Sequence, residues 1–319
     1  MSNEEHLAAA DIVRRAYRNV LGREPDREAL LHYQKIAISI AQTEELLIKS
    51  REYKLNIVKK NDLKWPLSQI FIVQKHKIIY CPIGKNANSS LKRLMVQLSD
   101  IPLKAEILDG DVHWITDTRN TGIQLSDLDN AAIKNIITDK IYFKFAVFRD
   151  PVDRILSAYW EKFVVNRSAS GNIRHTVPVI CAIQSCSIDS IDPELGITFK
   201  SFIEFLTKED PRRLDTHWKP QYLYLEGIKY DRIFDFGNLT PLYTKIREIT
   251  NLEINPIQEN ITRSGLGNYV GGAHDMFPAC LEKYETISRE SFLNDQITKL
   301  IECYYGIDYA VYDNIRDKN

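Results

Sequence analysis

Two short segments of the chain carry residue types that bind anions. The first supplies, in order, Lys85, Asn86, Ala87, Asn88, Ser89 and Ser90. It separates an apolar run ending in Cys81 from a basic segment with helical apolar spacing, which predicts a strand, a tight loop and a helix over residues 89–98. Unpaired amides at such a helix start, two hydroxyls and a movable ammonium suit a phosphate.

The second segment, FKFAVFRDPVDRILSAYWEKF, repeats this arrangement. Its strand ends at Arg149, and Asp150 with Pro151 then opens a helix, because proline suits the first helical turn. Ser157 lies about two turns further along and can face the same way, with Arg154 between them. A guanidinium fork with a hydroxyl suits a second phosphate that does not react.

Both segments are expected at one edge of a sheet. In open α/β sheets, ligands bind outside the carboxyl ends of the strands. Lys85 and Arg149 each follow such a predicted strand. The spacing around Lys85 differs from the GxxxxGK[ST] pattern of P-loop NTPases, and no Walker-B carboxylate stands out. The pair therefore predicts two phosphate sites that lie near one another.

The rest of the chain predicts an α/β protein with a small helical module in front. Residues 1–62 form that module, in which Gly22 and Pro25 end the first helix and Asp26 caps the second. Residues 68–319 alternate β-branched runs with helical ones, which predicts a mostly parallel sheet flanked by helices. The predicted strands include IFIVQ, KIIYC, AEIL, KIYFKFAVF and YDRIFDF.

Composition predicts a cytoplasmic protein that does not bind nucleic acid. The 319 residues include 42 Lys+Arg and 43 Asp+Glu, so there is no long-range basic field to attract a polyanion. The five cysteines form no CxxC pair and no Cys/His cluster at zinc-ligand spacing, as expected of reduced thiols. The start is acidic, unlike a signal peptide, and no run of about 18 apolar residues could cross a membrane. Peripheral membrane contact is left open.

The anion segments resemble those of a known family. KNANSSLK, from Lys85, is similar to the 5′-phosphosulfate loop of the carbohydrate sulfotransferases, which include the Golgi glycan sulfotransferases. RDPVDRILSAY, from Arg149, resembles their 3′-phosphate motif, and HWKPQYLYLEGIKYDRIFDFGNL, from His217, resembles a further block. The likeness covers about residues 70–315 and implies a P-loop-like sulfotransferase fold. The family loop usually has Pro where this chain has Gly84, and Thr where it has Ser89.

This resemblance implies a reaction and its cofactor. The donor would be 3′-phosphoadenosine 5′-phosphosulfate (PAPS), and the products 3′-phosphoadenosine 5′-phosphate (PAP) and a sulfated glycan or glycolipid. Lys85 would neutralise charge on the leaving oxygen, with the loop residues through Ser90 holding the 5′-phosphate. Arg149 and Ser157 would hold the 3′-phosphate. No metal is expected, because cations already hold the leaving phosphate.

The acceptor hydroxyl needs a base, and three residues are candidates. His113 lies between the anion segments, where relatives often place a catalytic histidine, and Asp109 and Asp111 are near enough in sequence to orient it. His217 is the second candidate, with substrate positioning as its other role. Glu161, on the helix of the second segment, is the third and otherwise a substrate contact.

Two segments outside these motifs carry predictions of their own. The glycine-rich loop around Arg263 is predicted to close over the adenine or the 3′-phosphate. The N-terminal YRNVLGREPDREALLHY resembles a helical module with an LGRxPD core, found beside bacterial surface-glycan enzymes. That likeness implies a bacterial polysaccharide setting and a docking or packing role.

Two other functions are compatible with these anion loops. The first is a magnesium-dependent nucleotide kinase built on the same strand, loop and helix. The second is a catalytically inactive module that binds sulfated or phosphorylated glycans. Sulfuryl transfer should survive EDTA while kinase turnover should not, and donor consumption separates an enzyme from a binding module.

Overall fold

The computed structural model describes residues 3–21, 23–36, 39–50, 62–101, 104–167, 169–187, 190–191, 195–254 and 267–316. The chain divides into two compact units. Unit 1 comprises residues 1–80 and 89–144, and unit 2 comprises residues 81–88 and 145–319. None of the helices in the described ranges combines the length and the apolar character that a membrane crossing requires.

Four short strands form a mixed sheet in the order β1-β2-β3-β4. Their bounds are β1 (Phe71–Val73), β2 (Ile78–Cys81), β3 (Phe143–Phe148) and β4 (Arg232–Asp235). β1 and β2 are antiparallel, whereas β3 and β4 are parallel. The α/β class is confirmed. The sheet is mixed rather than mostly parallel because only four residues, 74–77, join β1 to β2, and so short a connection permits only antiparallel pairing.

The α-helices described within the first 144 residues are α1 (Asn3–Leu21), α2 (Arg27–Gln34), α3 (Ile40–Ile48), α4 (Asn88–Leu98), α5 (Lys104–Asp109), α6 (Val112–Thr118) and α7 (Asn130–Thr138). Asp26 caps α2 as predicted, by accepting from the backbone amide of Ala29 at 2.8 Å. The predicted strand AEIL is wrong, since it lies in α5. Its Ala, Glu and Leu are all strong helix formers.

The N-terminal helices pack on one another and contact the rest of unit 1. Val13, Tyr17 and Leu47 belong to a small apolar core that α1 and α3 share. Arg119, directly after α6, donates from Nη1 to the carbonyl of Asn19 at 2.6 Å. The helical module is therefore tied to the segment that carries His113. The predicted domain boundary between residues 62 and 68 stays a prediction.

The helices of unit 2 are α8 (Pro151–Tyr159), α9 (Ser170–Gln184), α10 (Phe199–Leu206), α11 (Thr240–Thr250), α12 (Pro278–Leu281), α13 (Asp295–Tyr304) and α14 (Gly306–Arg316). A π-helical turn, Trp160–Val165, continues α8. The buried Tyr159 ring contacts Phe199 and Phe292 with centroids 5.2 and 6.4 Å away. This aromatic core holds α8 in place.

Candidate active site

The Lys85 loop, residues 82–87, joins β2 to α4. Lys85 and Ala87 both have left-handed backbone, with φ of 72° and 55°. Residues other than glycine rarely adopt such angles, because Cβ crowds the following carbonyl, and the strained conformation persists only where surrounding contacts impose it. Mixed left- and right-handed residues of this kind turn successive backbone amides into an anion-binding concavity. The sequence alone did not predict this backbone.

Asn86 fixes the loop from inside unit 2. It is fully buried, and its side-chain amide donates to the carbonyl of Val147 at 2.8 Å and to Gln221 Oε1 at 2.6 Å. Because Val147 belongs to β3, this contact ties the loop to the strand that precedes Arg149. The Asn86 amide is therefore engaged in holding the loop, and its role as a nucleotide ligand stays a prediction, as do those of Ala87 and Asn88.

Arg149 follows β3 directly, and its guanidinium reaches the Lys85 loop. Nη1 donates to the carbonyl oxygen of Lys85 at 3.2 Å. Asp150 caps α8 by accepting from the amide of Asp153 at 3.0 Å, as the RDP motif predicts. The two residues predicted to bind neighbouring phosphates thus lie together within unit 2.

Gln221 joins the two anion segments. In addition to its contact with Asn86, its side chain accepts from the Arg149 amide at 3.1 Å and donates to the Arg149 carbonyl at 2.9 Å. The Asp308 carboxylate in turn accepts from the backbone amide of Gln221 at 2.7 Å. Both strand ends are thereby fixed to one glutamine side chain.

The Lys85 ammonium is buried and forms an ion pair with Glu161. Burial lowers the pKa of Lys85, and the charge of Glu161 offsets part of that effect. Burial also acts to raise the pKa of Glu161, but Lys85 and then Lys162 outweigh it and lower the pKa to about 2. Glu161 is therefore ionised at neutral pH, and so low a pKa disfavours it as a general base.

Two further residues of α8 are buried. Arg154, 1% exposed, donates from Nε to the carbonyl of Gly84 at 3.0 Å and from Nη2 to that of Thr216 at 3.3 Å. Its guanidinium holds two backbone segments together. Ser157 is fully buried, and its contact with a 3′-phosphate stays a prediction.

In unit 1, the first turn of α4 contacts the predicted base. Ser89 Oγ lies 2.8 Å from His113 Nε2. The next residue, Ser90, is buried. Asp111, which we expected to orient the imidazole, caps α6 by accepting from the backbone amides of His113 at 2.9 Å and Trp114 at 3.1 Å, and its orienting role stays a prediction. The roles of both serines and of His113 stay predictions. Arg263 lies outside the described residues.

A second polar cluster of unit 2 surrounds His217. Asp215 accepts from His217 Nδ1 at 2.6 Å through Oδ1 and from His175 Nδ1 at 2.7 Å through Oδ2. Burial acts to raise the pKa of Asp215, but the hydrogen bonds from His175 and His217 outweigh it, so that the pKa falls well below its usual range. The carboxylate is therefore ionised and accepts from both rings.

Comparison with known proteins decides the family. The profile of the Sulfotransferase family matches residues 68–313. This chain belongs to the Sulfotransferase family. The match confirms the resemblance drawn from the Lys85 and Arg149 segments, and α1–α3 lie outside it.

The curated relatives of this sulfotransferase are named carbohydrate sulfotransferases. Carbohydrate sulfotransferase 10 of Pongo abelii is 33% identical over 156 residues, which cover 48% of this chain and 41% of that protein. Carbohydrate sulfotransferase 14 of Homo sapiens is 30% identical over 176 residues, or 54% of this chain and 44% of that protein. Carbohydrate sulfotransferase 9 of Homo sapiens is 29% identical over 215 residues, which cover 62% of this chain and 46% of that protein. The matches span less than half the length of these relatives, and no solved structure matches.

Sequence reasoning missed three residues of this sulfotransferase site. Gln221 stands inside the block quoted for the resemblance, yet its partner Arg149 is 72 residues away. Asp215 precedes His217 by two residues, a spacing that is common in loops, and His175 lies 40 residues before Asp215. The contacts of Gln221 with Arg149 and of His175 with Asp215 join residues far apart in the sequence and could not be predicted from a local pattern.

Proposed function

We propose that this protein transfers a sulfuryl group from PAPS to a hydroxyl of a carbohydrate. The observation that carries the proposal is the contact of the Arg149 guanidinium with the Lys85 loop, 3.2 Å from the carbonyl of Lys85. An arginine fork and a buried ammonium at two neighbouring strand ends suit a nucleotide with anionic groups on both sides of its ribose. The names of the curated relatives support a carbohydrate acceptor.

Lys85 is the proposed stabiliser of the transition state. The acceptor oxygen forms its bond to sulfur while the bond from sulfur to the bridging oxygen breaks. Negative charge consequently develops on the departing 5′-phosphate, and the acceptor proton passes to a base. A fixed ammonium next to the bridging oxygen stabilises that charge where it appears. To act in this way, the ammonium exchanges its partner Glu161 for the phosphosulfate.

The two phosphates of the donor are assigned to different segments. Arg149 and Ser157 are proposed for the 3′-phosphate, and residues 85–88 for the 5′-phosphate. Ser89 and Ser90, which follow in α4, stay predicted hydroxyl donors. Two phosphates at a fixed separation distinguish PAP from ATP, whose phosphates form one chain.

The transfer is proposed to need no divalent metal. Kinases use Mg²⁺ to neutralise charge between phosphates, whereas here the side chains of Lys85 and Arg149 supply positive charge directly. Turnover should therefore persist in EDTA, and its loss would favour the kinase alternative. A glycan or glycolipid acceptor, the cytoplasmic location and the bacterial setting are carried over as predictions from the sequence.

Titration calorimetry with PAP and with ATP tests the donor site. We expect PAP to bind at least about 10-fold more tightly than ATP, and Arg149→Lys to lower the affinity for PAP about 10- to 100-fold, because lysine cannot form a bidentate contact. Arg232→Lys is a matched control, because the Arg149 guanidinium lies over the Phe236 ring at 4.6 Å from its centroid and the Arg232 guanidinium lies over the Phe234 ring at 4.8 Å. Equal affinity for ATP, or an unchanged affinity of Arg149→Lys for PAP, would contradict the proposal.

A further inference from the structure

One carboxylate holds two imidazoles in the cluster formed by His175, Asp215 and His217. The side chains of these residues are 15%, 26% and 23% exposed, and the two rings meet edge to face with centroids 4.5 Å apart. Because the ionised carboxylate accepts from Nδ1 of His217, the proton of the neutral ring sits on Nδ1, and Nε2 keeps its lone pair. His217 thus has the tautomer of a general base.

His217 lies next to the Lys85 loop. A Cβ placed on Gly84 would lie 3.3 Å from the carbonyl oxygen of Thr216 and 3.8 Å from Cα of His217. Arg154 bridges the same two backbone segments, through Gly84 and Thr216. The family loop usually has proline at position 84. Because glycine has no side chain, the carbonyl of Thr216, the residue before His217, can lie close to the Lys85 loop here.

Burial is the main cause that favours the neutral ring of His217. Burial lowers the pKa of His217, the hydrogen bond to Asp215 offsets part of this effect, and Lys162 lowers the pKa further. His175 acts in the same direction as Lys162. Glu161, the partner of Lys85, also lies near His217, and the charge of a protonated His217 would help to lower the pKa of Glu161.

We propose that His217 is the general base of the transfer and that Asp215 is its positioning residue. This inference rests on the proposed function. Nε2 of His217 takes the proton of the acceptor hydroxyl as the oxygen–sulfur bond forms and the bond from sulfur to the 5′-phosphate breaks. Sulfated carbohydrate and PAP result, and the imidazolium is stabilised by the Asp215 carboxylate until it releases the proton to solvent.

The other two candidates are engaged differently. The Glu161 carboxylate is paired with Lys85 and contacts Lys162 at 3.3 Å, so its basicity is low. Nε2 of His113 faces the hydroxyl of Ser89 at 2.8 Å, and Ser89 is a predicted phosphate contact. A histidine in that position suits the recognition of the 5′-phosphate.

Two substitutions separate the base from its hydrogen bond. His217→Asn keeps a donor near the position of Nδ1 for Asp215 and removes Nε2, so kcat should fall about 100-fold or more while the affinity for PAP changes little. His274→Asn is the matched control in the same unit, since His274 also neighbours a carboxylate, Asp275, at 3.3 Å, and it should retain kcat. Unsulfated chondroitin and methyl β-galactoside serve as acceptor probes with PAPS, in EDTA.

Asp215→Asn tests the positioning role through the pH profile. Turnover needs neutral His217 and declines as the pH falls through its pKa. Because Asp215 raises that pKa, its loss should move the acid limb of kcat to lower pH. The value of kcat should fall at least about 10-fold, since an amide can hold the ring in either tautomer. A purely structural role would lower stability without moving the limb.

Imidazole nitrogen NMR of the whole protein provides a reading that needs no acceptor. At pH 7 the proposal requires the proton of His217 on Nδ1, with Nε2 unprotonated. The proposal would be overturned by a proton on Nε2 or by full turnover of His217→Asn. It would also be overturned if turnover were lost in EDTA and restored by Zn²⁺. Loss of turnover in His113→Ala, together with its retention in His217→Asn, would assign the base to His113 instead. Failure of the proposed function looks different, because the wild-type protein would then not bind PAP.

Discussion

The loops that follow β2 and β3 both end a strand beside a candidate phosphate site, but they are held by different means. After β3, Arg149 and Asp150 are the whole connection, and Asp150 caps the helix that follows it. After β2, the connection is longer, contains left-handed residues, and is held by side chains from distant segments, Gln221 and Arg154. The turn after β3 is thus formed by local patterns, with Gln221 as an added anchor, whereas the shape of the Lys85 loop depends on the fold of unit 2.

Replacing Lys85 tests this comparison at the point of largest effect. Lys85→Ala should lower kcat about 100- to 1000-fold, because it removes the charge that stabilises the leaving phosphate. The affinity for PAP should change much less, since Arg149 and the loop backbone remain. Single-turnover measurement of PAPS consumption separates the two quantities.

Lys77→Ala is the matched control for Lys85→Ala. Lys77 also has a left-handed backbone, with φ of 54°, in the turn between β1 and β2. Alanine keeps the Cβ of lysine, so neither variant changes the strain of the left-handed backbone, and a shared effect would report only the loss of a lysine side chain from a strained turn. A comparable loss of turnover in the two variants would mean that the Lys85 ammonium has no part in the chemistry.

Removing Gln221 tests whether the Lys85 loop depends on distant contacts. Gln221→Ala leaves the buried Asn86 amide and the Arg149 backbone without their partner, which should lower the free energy of unfolding by about 2 to 4 kcal/mol. The affinity for PAP should fall as well, because both strand ends lose their common anchor. Urea unfolding and calorimetry measure the two effects.

Gln184 offers a comparison of the same residue type. Its Nε2 donates to the carbonyl of Gly196 at 3.1 Å, and its Oε1 accepts a weak bond from Cys186 Sγ at 3.7 Å; Gln184→Ala removes both of these half-buried bonds. We expect a loss of about 1 kcal/mol and an unchanged affinity for PAP. If Gln221→Ala behaved like Gln184→Ala, the loop would be held by its own sequence after all.

This difference explains how much the sequence could predict. The turn at Arg149 was predicted in detail, because a strand end, a capping aspartate and a proline at the helix start are all local patterns. The position of the Lys85 loop was predicted too, but its left-handed residues were not, since lysine and alanine carry no preference for that backbone. Contacts made by residues far apart in sequence impose it.

The histidines follow the same rule. His113 was singled out from its place between two motifs, and the structure places Ser89 Oγ 2.8 Å from its Nε2. The surroundings of His217 required the fold, because its neighbour Asp215 also accepts from His175, which lies on α9 and 40 residues earlier in the sequence. The sequence showed that His217 is a histidine, but not that the carboxylate of Asp215 fixes the position of its proton.

The smallest expected effect concerns the local side of the comparison. Asp150→Ala removes the cap of α8 and should lower the free energy of unfolding by about 1 kcal/mol, as should Asp129→Ala at the corresponding cap of α7, where Asp129 accepts from Ala132 at 2.8 Å.

Asp150→Asn then separates the cap from the charge. Asparagine caps helices as well as aspartate does, and only the partly exposed ion pair of Asp150 with Arg289, at 3.2 Å, is lost, so stability should stay within about 1 kcal/mol of the wild type. The affinity for PAP should rise slightly, because a negative charge near Arg149 is lost while the guanidinium keeps its position. A large loss of PAP binding in Asp150→Asn, measured by calorimetry, would mean that the carboxylate charge positions Arg149, and the segment after β3 would then be no more self-contained than the Lys85 loop.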